Sequence, residues 1–272
     1  MNDSELIRLH RRDQRRRGLA ASSIDKRSRL LGHFADWHPG LVDADAETVE
    51  SFLDTLSLKP RSRYTYLSNL HSFYSWAVHA GHTTVDPTVE IRRPKFAQGI
   101  PRPIPSADLG LALTMASPAV AVILACAAYA GMRCCEISRL CRDDIGDGLE
   151  PSITAHGKGD KSRFIPLHPE LVAALEAHGL PRVGPVLRRG DGRPMPAWLV
   201  SQTANGYLHG LGIDATVHQL RHWFGTTLYR KSGHNLLLVR DLMGHASVTT
   251  TQVYAATDRE GAYQAVAALS PV

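Results

Sequence analysis

The run SPAVAVILACAAYAG, residues 117–131, constrains this chain more than any other stretch. It carries no charge, yet at fifteen residues it is shorter than the ~20 needed to cross a bilayer. Such a segment reads as a helix buried on every side, entered at Pro118 and stopped at Gly131. A buried helix needs a sizeable core around it. With 272 residues, 43% of them hydrophobic, the chain has the material for one large domain or two ordinary ones. No signal-peptide pattern or long uncharged stretch occurs, and Cys126, Cys134, Cys135 and Cys141 show no CxxC spacing. The expectation is a cytoplasmic protein with reduced, packed cysteines and no membrane partner.

The clearest interruption is IRRPKFAQGIPRPIPSADL, residues 91–109, where four prolines and a glycine break helix and strand alike. It divides the chain into a helical domain over 1–90, a linker over 91–105 and a larger domain over 106–272. In the first domain, Ile24, Leu30, Leu31, Phe34 and Trp37 recur at helical spacing. Val49, Phe52, Leu53 and Leu56 follow an aspartate cap. A third face, Tyr66, Leu70, Phe73 and Trp76, begins after a proline entrance and ends at Gly81. In the second domain, CCEISRLCRDDIG reads as a helix and PSITAHGKGDKSRFIPL as a β-hairpin about a Gly-Lys-Gly-Asp turn. From Pro169 onward the pattern is helical again, broken at Gly179, Gly212, Gly233 and Gly244. The fold class expected is mainly α with a small β-sheet.

The formal net charge is +5, and only six of the 31 basic residues are lysines. Arginine's planar fork suits phosphate, so the balance points to a polyanionic partner, although a GC-rich coding genome also favours arginine. The polar residues at the breaks are more telling. Arg133 follows a glycine turn with Glu136 one helical turn on, and Lys158 lies between two glycines at the hairpin tip. His218 and Arg221 share a helix face. Gly244 precedes His245, and Tyr254 follows nine residues later. Each has an ordinary reading when taken singly: an arginine paired with Glu136, a solvated turn lysine, a C-cap histidine, a core tyrosine. His218 and His222, four apart, also have zinc-ligand spacing, but Gln219 stands where a metalloprotease motif needs glutamate and no third ligand is evident, so no metal is assigned.

Together, AYAGMRCCEISRL, HGKGDKSRFIPL and HQLRHWFGTTLYRKSGHNLLLVRDLMGHASVTTTQVYAA resemble the tyrosine recombinase, or phage integrase, family, over most of residues 5–256. The resemblance implies a helical (SAM-like) core-binding domain and a catalytic domain that close as a C-shaped clamp on double-stranded DNA. It implies that Arg133, Lys158, His218, Arg221, His245 and Tyr254 are catalytic, with Glu136 and Gly244 in support. Arg133 and Arg221 would hold the charge growing on a scissile phosphodiester. His245 would donate to the same phosphate, and His218 either joins it or accepts the Tyr254 proton. Lys158 would protonate the leaving 5′-oxygen while Tyr254 forms a 3′-phosphotyrosine. Neither metal, other cofactor nor ATP is implied. Arg61, Arg63, Arg92, Arg93, Lys95 and Lys161 are expected to contact DNA phosphates by position.

The resemblance further implies a monomer in solution, a homotetramer on core attachment sites, and a place at the nucleoid of a bacterium or phage-infected cell. A docking tail beyond Tyr254 would link protomers. With about four residues before the first helix, a compact form without an arm-binding domain is expected. The rival readings are a cellular dimer-resolution (Xer-like) recombinase, a type IB topoisomerase and a catalytically silent DNA-binding protein. The complete six-residue set argues against the last.

Overall fold

The first four helices of the computed structural model are α1 (Asp3–Arg16), α2 (Ala21–Trp37), α3 (Ala46–Thr55) and α4 (Pro60–His79). The structure describes residues 1–96, 102–157, 162–245, 247 and 251–254. Side-chain caps start two of these helices: Asn2 accepts from the Glu5 N–H at 2.9 Å and Asp45 from the Thr48 N–H at 2.8 Å. The Asp3 carboxylate accepts from the Gly40 and Leu41 N–H groups, both at 2.8 Å, tying α1 to the α2–α3 loop. Leu6, Leu31, Phe34, Phe52, Leu53, Leu70 and Phe73 fill the core between the helices. The predicted stripes need two corrections. Trp37 is 44% exposed, because it ends α2 at the rim. The buried seam of α4 is Leu67, Leu70, Phe73, Tyr74 and Ala77, with Tyr66 and Trp76 only half-buried. Tyr74 accepts this burial because its hydroxyl donates to the Leu41 carbonyl at 2.8 Å.

The chain divides into two units, residues 1–98 and 99–272. Ile91, the first residue of the expected linker, packs into the core of the first unit, and Ile104 into that of the second. The second unit opens with α5 (Ser106–Met115) and α6 (Pro118–Tyr129), the apolar run. Val122 through Ala128 are fully buried, and α8 (Pro169–His178), α9 (Ala197–Gly210) and α10 (Val217–Lys231) pack around α6. Burial on this scale, ~1.5–3 kcal/mol for each large aliphatic side chain, makes α6 the axis of the unit.

Between α6 and α8 lie α7 (Cys134–Ile137) and the strands β1 (Ile145–Gly146), β2 (Ser152–His156) and β3 (Ser162–Pro166). The sheet is antiparallel in the order β1-β2-β3, with Ile153 opposite Ile165 and Ala155 opposite Arg163. The hairpin is where it was expected; β1 was not foreseen. The helix expected over CCEISRLCRDDIG lasts only four residues. Its continuation is recruited elsewhere: Arg142 N–H donates to the Gly184 carbonyl and Val186 N–H to the Leu140 carbonyl. Residues 180–196 are likewise not helical, since Pro181, Pro185, Pro194 and Pro196 cannot continue a helix. The last named helix, α11 (Leu236–Met243), ends at Gly244, and residues 251–254 are helical. All four cysteines are free; Cys126 is buried, but Cys135 is exposed rather than packed.

Candidate active site

Gly131 ends α6 in the left-handed conformation, φ +57°, and its Cα faces the Phe224 ring so closely that a Cβ would lie 2.4 Å from Cδ1. That turn delivers Arg133 to the start of α7. The Arg133 Nη1 donates to Glu136 Oε1 at 2.8 Å, its backbone N–H to Oε2 at 2.9 Å, and its Nη2 to the Gly244 carbonyl at 3.1 Å. Glu136 is 3% exposed. Burial alone would raise its carboxyl, but hydrogen bonds from Arg163 and the Arg133 N–H, and the charge of both guanidiniums, hold it at about 2.

Arg163 is the residue that sequence reasoning missed. Both its terminal nitrogens donate to Glu136, at 3.0 and 2.8 Å, and its Nε donates to the Leu242 carbonyl at 2.8 Å. The signal was strand alternation: with Ile165 inward on β3, Arg163 two positions earlier shares its face. It thereby joins β3, α7 and the end of α11. Gly244, φ +61°, caps α11, and a Cβ there would lie 2.9 Å from Arg163 Nη1. Glycine is required twice over, for the backbone and for the space.

On α10, Arg221 is 3% exposed and reaches two backbone carbonyls, Gly131 through Nη1 and Met243 through Nη2, the latter at 2.7 Å. Burial and then Arg133 lower its guanidinium to about 9, which leaves it a cation at neutral pH. His218 is exposed and meets the half-buried His222 edge to face, ring centroids 4.4 Å apart. His245, half-buried just past Gly244, has its Nδ1 3.0 Å from the Thr251 hydroxyl. Surrounding protein, then Arg221 and Arg133, lowers His218; burial followed by the same two arginines lowers His245 to about 4. His222 is also lowered to about 4, by burial, then His218 and Arg221.

Tyr254 is 1% exposed, packed with Phe224, Val239 and Met243. It lies against bare backbone at Gly225, where a Cβ would fall 2.5 Å from its Cζ. Its ring stacks on His245, centroids 6.3 Å apart, and its hydroxyl is 3.3 Å from His222 Nδ1. Burial pushes the phenol up to about 12, although Arg221 and Arg133 pull the other way. Five of the six residues assigned to catalysis, Arg133, His218, Arg221, His245 and Tyr254, therefore meet in one unit with Glu136 and Gly244. Lys158 and Lys161 lie outside the described residues, as does the proposed docking tail. Among the described residues no group of three or more metal-ligating side chains converges.

The basic residues expected to touch phosphate group separately, in the N-terminal unit. Arg61 lies over the Phe96 ring at 5.8 Å and Arg93 over Tyr64 at 5.7 Å, and the two rings meet edge to face at 5.4 Å. Arg92 and Lys95 are exposed. Arg63 differs: it is half-buried and ion-paired with Asp54.

Residues 115–260 match the model of the phage integrase family. The chain is 34% identical over 245 residues to tyrosine recombinase XerC of Methylobacterium nodulans, covering 81% of this chain and 75% of that one. To tyrosine recombinase XerD of Listeria monocytogenes it is 33% identical over 270 residues, covering 88% and 89%. A lambda integrase dimer bound to a COC′ core site is similar with a TM-score of 0.74 at 17% identity, over 93% of this chain and 77% of that one. XerH bound to palindromic difH in a post-cleavage complex gives 0.72 at 19%, over 98% and 84%. At these identities the two structures speak to the fold.

Proposed function

The chain belongs to the phage integrase family of tyrosine recombinases, and we propose that it cuts and rejoins double-stranded DNA at specific sites through a 3′-phosphotyrosine. The observation that carries this reading is the convergence of two guanidiniums and two histidines, His222 and His245, on the Tyr254 pocket, with His218 packed edge to face on His222. Arg133 and Arg221 are held by backbone carbonyls with further N–H groups left to hold the non-bridging oxygens of a phosphodiester, whose charge grows as the nucleophile arrives. His245 Nδ1 lies 3.0 Å from the Thr251 hydroxyl; in the tautomer whose Nδ1 accepts from that hydroxyl, Nε2 carries the proton and donates to the same phosphate. Tyr254 Oη bonds to phosphorus, the 5′-oxygen leaves with a proton from Lys158, and a 5′-hydroxyl from a partner strand later reverses the step. Because Tyr254 is 1% exposed, its segment shifts before a phosphorus reaches the hydroxyl.

The arginines supply the positive charge that a metal would otherwise bring, so neither metal nor ATP takes part in this reading. Duplex DNA is the partner, gripped partly by Arg61, Arg92, Arg93 and Lys95, with Arg63 released from Asp54 and Lys161 adding contacts to phosphate. Two strand exchanges require four active sites, hence a tetramer on DNA, acting in the cytoplasm at the nucleoid. Integration of a mobile element and resolution of chromosome dimers use the same chemistry. The likeness to Xer proteins supports dimer resolution as the second reading, and sequencing junctions formed in cells separates the two.

The test begins with fragmented host DNA incubated with protein and chelator, then denatured to capture covalent adducts and read the site. A nicked suicide substrate bearing that site should trap the wild type but not Tyr254→Phe. Lys158→Ala should be slow on it and recover when the 5′-bridging oxygen is replaced by sulfur, a better leaving group. Adduct formation by Tyr254→Phe, or a metal requirement, would refute the mechanism.

A further inference from the structure

Three successive carbonyls close the C-terminal end of α11, and each accepts from a different arginine. Leu242 accepts from Arg163 Nε at 2.8 Å, Met243 from Arg221 Nη2 at 2.7 Å and Gly244 from Arg133 Nη2 at 3.1 Å. The last carbonyls of a helix have no partner within it and carry the negative end of its dipole, so cations settle there. These cations come from β3, α10 and the start of α7, and the helix end fixes their spacing. Arg163 and Arg133 are joined a second time through Glu136: the Nη1 of each donates to Oε1, at 3.0 and 2.8 Å, and Arg163 Nη2 donates to Oε2 at 2.8 Å. The Arg163 side chain is 10% exposed against 38% for Arg133, so Arg133 is the outer of the two forks on that carboxylate.

We propose that Arg163 is a positioning residue for strand cleavage: by clamping the Leu242 carbonyl to Glu136 it sets where the end of α11 sits, and so where Arg133 and Arg221 hold the scissile phosphate. This rests on the recombinase reading above. Arg133 is oriented by Glu136 Oε1 and the Gly244 carbonyl, and Arg163 bridges the two elements that carry those acceptors. Its guanidinium also packs on the bare Cα of Gly244, where a Cβ would lie 2.9 Å from Nη1. Without Arg163, α7 and the end of α11 are held to each other through Arg133 itself, the side chain that has to present N–H groups to phosphate. Arg221 follows the same movement, because it is held by Met243, the middle carbonyl of the three. Two clamps on one phosphate tolerate little displacement, since about 1 Å can cost about 100-fold in rate. Arg163 engages protein acceptors through Nε and both terminal nitrogens, and so acts through its neighbours. Lysine is no equivalent, because a compact ammonium pairs with Glu136 but lacks the planar fork that spans Glu136 and Leu242 together.

Arg163→Met removes the clamp while Arg133 still pairs with Glu136. With the suicide substrate in excess, at a temperature where the variant is folded, adduct formation should fall about 100-fold while duplex affinity stays within about 3-fold of wild type. Two altered substrates, each compared with wild type on the same DNA, read how the loss arises. A methylphosphonate at the scissile position replaces one non-bridging oxygen by methyl, so the group is uncharged before attack and asks less of the guanidiniums. On it the deficit should shrink about 10-fold or more, as it should for Arg133→Ala. A 5′-bridging sulfur relieves only the leaving-group proton and should leave the deficit as it was. Equal deficits on phosphodiester and methylphosphonate, the result of a general loosening of the fold, overturn the proposal. Recovery on the sulfur substrate also overturns it, by assigning Arg163 to leaving-group protonation, and so does a variant within about 3-fold of wild type on the phosphodiester. Should Arg163→Met fold poorly, Arg163→Lys keeps a cation against Glu136 and should show the same substrate pattern; a lysine variant that cleaves at the wild-type rate overturns the need for the clamp. A wild type that forms no adduct on the phosphodiester refutes the recombinase reading instead.

Discussion

Replacing Glu136 with glutamine removes the anion that binds both Arg133 and Arg163, and its cost can be worked from the site. The side chain is 1% exposed, and its carboxyl moves from an ordinary 4.5 to about 2. At about 1.4 kcal/mol per pH unit that displacement corresponds to about 3 kcal/mol of folding stability. Breaking one side of a buried charge pair costs about 3–5 kcal/mol, the same range. The sign follows from a lowered carboxyl: the contribution is complete above pH 4.5 and is lost as pH falls towards 2. The assay is urea unfolding at a series of pH values, read by hydrogen exchange in peptides from 118–145 so that the second unit is followed. Glu136→Gln should lose about 3 kcal/mol at pH 7 and lose none of its remaining stability between pH 4.5 and 2 through this group. Adding Arg163→Met should cost less than the sum of the single changes, because each alone strands a buried partner. A Glu136→Gln protein within about 1 kcal/mol of wild type at pH 7 would refute the reasoning.

Two further outcomes follow from the same geometry. Gly131→Ala combines a left-handed backbone with a clash against Phe224 and should destabilise by about 2–4 kcal/mol. Gly81→Ala, equally left-handed at φ +73° but with open space around it, should cost only about 1–2 kcal/mol; equal losses in denaturant titrations would discount the Phe224 contact. Duplex DNA should bind with proton uptake, because His245 is neutral in the free site and a phosphate beside Arg221 and Arg133 offsets the charge that helps lower it. Calorimetry near pH 6 in buffers of different ionisation enthalpy measures this, and heats independent of buffer would contradict it.

Much of the site was legible because its spacing is local. The i, i+3 relation of His218 to Arg221, the stop at Gly244 before His245 and the turn before Arg133 are each set within a few residues. Other parts were not legible. Arg163 to Glu136 spans 27 residues, His222 to Tyr254 spans 32, and Arg133 to the Gly244 carbonyl spans 111. No local periodicity encodes those partners. The four-residue length of α7 escaped for a related reason: its would-be continuation pairs with residues 184–186, far along the chain.

The amino-acid sequence by itself determined the buried α6 helix, the proline break between a helical unit and a larger one, the hairpin, and the family-ordered set of polar residues. Each of these follows from composition and short-range pattern, which fix what a segment can bury and where it must turn. The tertiary structure alone decided that Tyr254 lies closed against Gly225, that His222 Nδ1 comes within 3.3 Å of its hydroxyl, and that Arg163 shares Glu136 with Arg133. Periodicity tells which face of a helix is buried, but only the packing of α10, α11 and β3 against one another says what that face meets.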